Sequence, residues 1–268
     1  MKENKFSFLH YMDFFSSYPP KICVSLTSSS WQEIDSEITE ILKTDVVSII
    51  EWRIDRYAST SIDTLLSVLS NIRQKIGNTI LLTTFRTHSQ GGHQSITSDQ
   101  YIQLYQEIIK SKKINMIDIE MTIPSPAKEQ LIDYATRNQV LVLLSYHNFT
   151  ITPSIEEMVE TLMHMQETGA NIAKIAVMPE TTADVYRLLQ ATMQAHTNCT
   201  IPIVTIAMGR LGRISRIAGE TFGSQITFGS VCQPSAPGQI PATLLASILQ
   251  QLHKKESNYD ISDYRIKQ

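Results

Sequence analysis

A chain of 268 residues, 42% hydrophobic and 18% charged, is long and apolar enough to bury a large core. Its formal net charge of −3, with no long basic run, argues against a nucleic-acid binder. No apolar run approaches the roughly 18 residues that a membrane span needs. The amino terminus, Met1-Lys-Glu-Asn-Lys-Phe6, lacks the apolar segment of a signal peptide. Cys23, Cys199 and Cys232 are too scattered for a metal site, and Cys23 and Cys199 fall in or beside strand-like runs. Reduced, buried thiols in a cytoplasmic protein are the expectation.

Residues 1–20, ending in Tyr18-Pro-Pro20, are aromatic but weakly patterned and read as a cap or small hairpin. Lys21–Leu26 is the first clear strand. Trp31–Lys43 follows with helical apolar spacing at Trp31, Ile34, Ile38, Ile41 and Leu42. Val46–Ile50 reads as a second strand running into Glu51-Trp-Arg-Ile-Asp55. A helix over Ser61–Ile76 stops at Gly77, and the strand Thr79–Phe85 ends at Arg86. Further on, helices are predicted over Asp99–Lys110, Pro126–Asn138, Thr152–Gly169, Thr181–His196, Gly212–Phe222 and Gln239–His253. Strands are predicted at Asn115–Ile119, Val140–Tyr146, Asn171–Pro179, Ile201–Ala207 and Gln225–Phe228. Eight strands separated by helices predict a (β/α)8 barrel in one domain spanning 1–268. An open doubly wound sheet is the competitor, but no glycine-rich phosphate loop follows the first strand. Residues 254–268 read as a polar tail, too short for a fused second enzyme, so a monofunctional chain is expected.

The lysine in Asn171-Ile-Ala-Lys-Ile-Ala-Val-Met-Pro179 is out of place in a buried strand. Desolvating its ammonium costs several kcal/mol unless it is paired or gives up its proton. A lysine with a lowered pKa is a free amine that condenses with carbonyls; the plain alternative is a structural ion pair or a side chain reaching the strand end. Barrel active sites form at the carboxyl ends of the strands. The polar residues at those ends are Ser25, Glu51, Arg53, Arg86, Glu120, His147 and Lys174, then Arg210, Arg213 and Arg216 after the seventh strand. Each has an ordinary reading: Glu51 and Arg53 as an ion pair, His147 as a hydrogen-bonded strand end, any arginine as surface charge. Together they combine an amine nucleophile, a proton-moving imidazole and several anion-binding guanidinium groups. That set predicts a metal-free, imine-forming lyase or aldolase acting on an anionic keto compound.

The ordered motifs Glu51-Trp-Arg-Ile-Asp55, Thr84-Phe-Arg86 with Gly91-Gly92, Met116–Glu120, Ser145–Phe149, Lys174–Pro179, Ile214-Ser-Arg216 with Phe222-Gly223, and Ser235–Gln239 resemble type I 3-dehydroquinate dehydratase. The resemblance runs from about Lys21 to Leu252. It implies a barrel that dehydrates 3-dehydroquinate to 3-dehydroshikimate by syn elimination, with no metal or organic cofactor, commonly as a homodimer. Lys174 matches the imine lysine and His147 the proton-transferring histidine. Arg216 matches the residue that holds the substrate carboxylate. Ser25, Glu51, Arg53, Arg86, Ser235 and Gln239 fall at substrate-contacting positions, with Ser235–Gln239 as a lid.

This chain departs from that pattern in places. Gln90 stands where many relatives carry a glutamate, thought to orient the histidine, so the charge that would stabilise an imidazolium is missing. Met208-Gly209-Arg210 replaces a common Met-Ser-Lys, and Asn148 replaces an aspartate found after the histidine in some relatives. A class I aldolase on a sugar phosphate is the alternative, requiring a phosphate site near Gly223 and Gly229. A non-catalytic binding barrel is a third reading, one that does not require the lysine and histidine.

Overall fold

The computed structural model describes residues 8–253. The expected tail from 254 and the first seven residues lie outside the described part. Eight strands carry the barrel: β1 (Lys21–Leu26), β2 (Ile49–Arg53), β3 (Ile80–Thr84), β4 (Met116–Glu120), β5 (Leu141–Asn148), β6 (Ile172–Val177), β7 (Ile203–Ala207) and β8 (Ile226–Ser230). All pair in parallel, in the order β7-β6-β5-β4-β3-β2-β1-β8. The seam between β7 and β8 is joined by a single bridge, Ile203 to Ser224. Two hydrogen bonds reinforce it, Gln225 N–H to the Ile203 carbonyl at 3.0 Å and Ile203 N–H to Gln225 Oε1 at 2.8 Å.

The helices between the strands are α2 (Trp31–Leu42), α3 (Ile62–Ile76), α4 (Ser98–Lys110), α5 (Ser125–Arg137), α6 (Ile155–Glu167), α7 (Thr182–Asn198) and α8 (Arg213–Ala218). Side-chain capping boxes fix the starts of four of them, at Ser30/Glu33, Thr97/Gln100, Ser154/Glu157 and Thr181/Asp184. Each box satisfies backbone donors that the first helical turn leaves open.

Alternation along each strand sorts residues into two cores. In β2, Ile50 and Trp52 pack outward against helices, while Ile49 faces the barrel axis with Cys23, Leu82, Met116, Leu143, Ile172, Val204 and Phe228. Of the two expected readings of the amino-terminal segment, a cap or a small hairpin, the described part is a capping helix, α1 (Phe8–Ser16), and not a hairpin. Tyr11 and Phe15, four residues apart on one helical face, enter the inner core and plug the amino end of the barrel. Aromatic bulk at i and i+4 was the signal for a helix there.

Other boundaries also shift. Val46 and Val47 are only partly buried, packed on the outer core, and β2 begins at Ile49. The predicted Gly212–Phe222 helix breaks after α8 into a 3-10 turn, Gly219–Phe222. The last helix, α9 (Ala242–His253), starts later than predicted because Ile240–Pro241 form a short strand, β9, beside β8. Cys23 is buried as expected, Cys199 is only partly so, and Cys232 is exposed.

Phe15→Ala removes the plug's more buried side chain, 1% exposed here. Such a cavity is expected to cost about 3–5 kcal/mol, read as a lowered midpoint in chemical denaturation. An unchanged midpoint would mean that α1 does not seal the barrel.

Candidate active site

Inward-facing positions change character toward the carboxyl ends of the strands. Below are Ile and Leu; above come Ser25, Glu51, Arg53, Thr84, Asp118, Glu120, Ser145, His147 and Lys174. Strand register sets their levels, placing Ser25 beside Glu51 and Ser145 beside Lys174. A cavity of about 190 Å³ opens on this layer, lined among others by Glu51, Arg53, Arg86, His147, Lys174, Arg216, Ser235 and Gln239. Of the expected site residues only Ser25 is not on its wall, and Ser25 hydrogen-bonds to two that are. A wider groove of about 550 Å³ runs along the outer flank of α6, past Tyr146, Ile151 and His164. It holds no buried ionisable group, whereas the smaller cavity gathers several.

Lys174 is 4% exposed, with Nζ 4.1 Å from the centroid of the Phe228 ring. Burial lowers its pKa below the ordinary lysine value; Glu51 and Asp118 oppose that effect and Arg86 reinforces it. Glu51 is fixed by hydroxyls: Ser25 Oγ donates to Oε2 at 2.5 Å and Thr84 Oγ1 to Oε1 at 2.7 Å. Burial pushes the Glu51 carboxyl up, but the charges of Lys174 and Arg53, with these hydroxyls, hold it below its usual range.

Glu51 and Arg53 do not form the simple ion pair that their spacing allowed. Arg53 instead grips Asp55 through Nε and Nη2, both at 2.8 Å. Asp55 also accepts the backbone N–H groups of Arg86 and His93. Arg86 is a hub: Nη2 donates to Asp118 at 2.6 Å, and Nη1 to Glu120 at 3.0 Å and Ser145 at 2.8 Å. Ser145 Oγ in turn donates to Asp118 at 2.6 Å. Burial disfavours the charged guanidinium, yet Asp118, Glu120 and Glu51 raise its pKa further above the usual arginine value. Sequence reasoning gave no part to Asp118, Asp55 or Ser145, though each lies at an inward-facing or strand-end position.

His147 shows the clearest departure from the family pattern. Gln90 Oε1 accepts the backbone N–H of His147 at 2.7 Å rather than holding its ring. Nδ1 is buried without a hydrogen-bond partner, and the ring stacks on Phe149 at 6.1 Å. Burial, then the charges of Arg86, Lys174 and Arg53, push its pKa well below the ordinary histidine value. The packing of Phe149 requires Gly91, where an added Cβ would lie 2.4 Å from the Phe149 ring.

Arg216, on α8, is buried without a carboxylate partner. Its guanidinium donates to the carbonyls of Gly238, Pro237 and Phe228 at 3.1, 3.2 and 3.3 Å. Burial brings its pKa down to about 10. Pro237 and Gly238 belong to the predicted lid, which lies closed: Gln239 donates to Ser235 Oγ, and Ser235 Oγ to Ser25. The rim arginines Arg210 and Arg213 are exposed and do not line the cavity. Gly223 and Gly229, the candidate phosphate glycines, are packed against His196 and Ala242, where an added Cβ would lie 2.3 and 3.1 Å away. Among the described residues, no group of three or more His, Cys, Asp or Glu side chains is placed to hold a metal ion.

A family model described as type I 3-dehydroquinase matches residues 22–256. A 3-dehydroquinate dehydratase of Salmonella agona is 42% identical over 237 residues, covering 88% of this chain and 94% of the relative. Among solved structures, a type I 3-dehydroquinate dehydratase of Clostridium difficile, covalently modified by comenic acid, aligns with TM-score 0.86 at 39% identity. That alignment covers 88% of this chain and 94% of the other. The 3-dehydroquinate dehydratase of Geobacillus kaustophilus gives TM-score 0.86 at 31% identity, over 90% and 94% of the two chains.

The geometry around His147 gives a signed expectation. Its NMR titration midpoint should lie below 6.5, and Gln90→Glu, by adding a negative charge beside it, should raise that midpoint. Because the folded state binds this proton less readily than the unfolded chain, the group's contribution to stability is full above about pH 6.5 and is lost as pH falls toward the folded pKa. A midpoint at or above 6.5 in the native protein would contradict the reading.

Proposed function

The chain belongs to the type I 3-dehydroquinase family, and from that premise we propose that Lys174 is its imine-forming amine and His147 its proton-transferring base. Its activity is the dehydration of 3-dehydroquinate, a hydro-lyase reaction of the shikimate pathway. The observation that carries the residue assignment is the placement of a buried, pKa-lowered amine beside a neutral imidazole in one cavity. Lys174 on β6 pairs in register with Ser145 on β5, so His147 stands two residues further along the neighbouring strand.

The steps balance as follows. The free amine of Lys174 attacks the C3 carbonyl, and the carbinolamine, taking up one proton from solvent, loses water to give the protonated imine. That cation withdraws electrons from C2, and neutral His147 takes a C2 proton to leave an enamine. The enamine expels the C1 hydroxyl, which takes its proton from the imidazolium and leaves as water. Hydrolysis of the conjugated imine takes up a water in place of the one released when the imine formed, gives back the proton and frees Lys174, so the net change is loss of one water.

Arg216 is suited to the substrate carboxylate because it is a buried guanidinium with no protein carboxylate against it. Glu51, Arg53 and Arg86 are fixed by their own partners and offer rigid polar edges to the substrate hydroxyls. Ser25 braces Glu51 from behind, while Ser235 and Gln239 cover the cavity and exclude water from the imine. The same proposal includes a cytoplasmic homodimer, as the family resemblance implies. Light scattering should then return about twice the 30.3 kDa chain mass; a monomer at micromolar concentration would remove the dimer.

Borohydride reduction in the presence of 3-dehydroquinate should leave a substrate-derived adduct on Lys174, located by peptide mass mapping. Lys174→Ala should give neither adduct nor turnover. His147→Ala should still form an adduct while kcat falls by about 10²–10⁴. An adduct on another lysine, or full turnover in Lys174→Ala, would sink the assignment.

A further inference from the structure

Four arginines line the cavity, and three have their guanidinium hydrogen bonds accounted for: Arg53 by Asp55, Arg86 by Asp118, Glu120 and Ser145, and Arg216 by three carbonyls. The fourth is Arg56. It makes no hydrogen bond or ion pair with the described residues, and its Nε is buried without a partner. It closes the 3-10 turn Ile54–Arg56, whose neighbours Ile54 and Tyr57 are anchored in the core, so its backbone is fixed at the cavity wall. Burial and the nearby charge of Arg53 both work against its cation, and Asp55, already held by Arg53, only partly offsets them. A guanidinium kept beside another, with an unused donor and no protein acceptor, is costly unless an anion from outside completes it.

Depth separates it from Arg216. Arg216 is 3% exposed beneath the lid, whereas Arg56 is only partly buried and still reaches solvent. We propose that Arg56 is a second anion-recognition residue of this cavity, meeting the substrate's carboxylate at the mouth before Arg216 takes it and so aiding its capture. This rests on the reading of the cavity as the dehydratase site. Arg56 supplies no proton and touches no reacting bond, so its contribution is read in binding and in salt dependence rather than in the chemical step.

The test compares wild type, Arg56→Gln and Arg56→Lys, with folding checked by thermal unfolding and Arg56→Met as the neutral substitute should Gln not fold. Arg56→Gln is expected to raise KM for 3-dehydroquinate about fivefold with kcat within about twofold. It should flatten the salt dependence of kcat/KM and weaken competitive inhibition by inorganic sulfate by a similar factor. Arg56→Lys should recover most of the salt dependence. Unchanged KM and sulfate inhibition in a folded Arg56→Gln, or a loss confined to kcat, overturns the proposal. Borohydride trapping in wild type separates the two readings. If no Lys174 adduct forms, the site assignment fails and this inference with it; an adduct with unchanged KM in Arg56→Gln overturns this inference alone.

Discussion

Everything at the carboxyl end of this barrel depends on keeping one amine buried. An ammonium taken out of water costs several kcal/mol unless fixed negative charge answers it. Here the answer is spread over Glu51 and Asp118, neither of which contacts Lys174 in a tight ion pair. A close salt bridge would hold the proton on nitrogen and leave no free amine for the proposed condensation. Charges at longer range let the amine stay in the barrel while burial still lowers its pKa. Glu51 and Asp118 must then be held in place without using the lysine. Ser25 and Thr84 do this for Glu51, and Arg86 and Ser145 for Asp118. Side chains from five strands, β1 to β5, are thereby tied into two hydrogen-bonded groups beside the lysine on β6.

These groups also explain why the mobile parts can be so slight. Arg86 and Arg53 are committed to carboxylates and cannot follow a ligand, so the adaptable cover comes from the segment between β8 and β9. That segment is pinned at its far end by Ile240 pairing with Gly229, and at its centre by Pro237 and Gly238 carbonyls on Arg216. Gly238 takes a positive φ, and an added Cβ there would lie 2.2 Å from the Gly209 carbonyl oxygen. Only glycine allows this approach. An anion reaching Arg216 would therefore have to displace those carbonyls from a guanidinium that is already in position.

Much of this was legible in the sequence because barrels obey two periodicities at once. Strand alternation and helical spacing counted eight repeats, and the strand-end rule gathered Glu51, Arg53, Arg86, His147, Lys174 and Arg216 before any coordinates. What escaped has physical reasons. Asp118 sits in the middle of Met116–Glu120, where only the inward direction of its side chain, set by register, reveals its contact with Arg86. Arg210 and Arg213 lie after β7 like Arg216, but the turn and α8 direct only Arg216 inward, a matter of helical phase that strand-end position cannot encode. Ile240–Pro241 looked like the start of a helix because pairing with β8 is a tertiary contact with no local signature. Phe8–Ser16 was helical but too short and too aromatic for its period to stand out.

The charges also account for why this site suits an anionic ketone. Glu51, Asp55, Asp118 and Glu120 face Arg53, Arg56, Arg86 and Arg216, with Lys174 beside them. With those carboxylates ionised and Lys174 a free amine, the four negative and four positive charges of the layer balance, and an iminium at Lys174 would add one positive charge that a substrate carboxylate cancels. On the proposed chemistry the iminium brings the cation and the substrate brings its anion, so condensation leaves the surrounding ion pairs correctly arranged. An imidazolium at His147 would disturb that balance, since Arg86, Lys174 and Arg53 all oppose it. Those charges make His147 a weak base, and equally make its conjugate acid quick to give the proton back. A base that holds its proton only between two steps of one turnover suits an elimination in which the proton leaves C2 and departs again with the C1 hydroxyl.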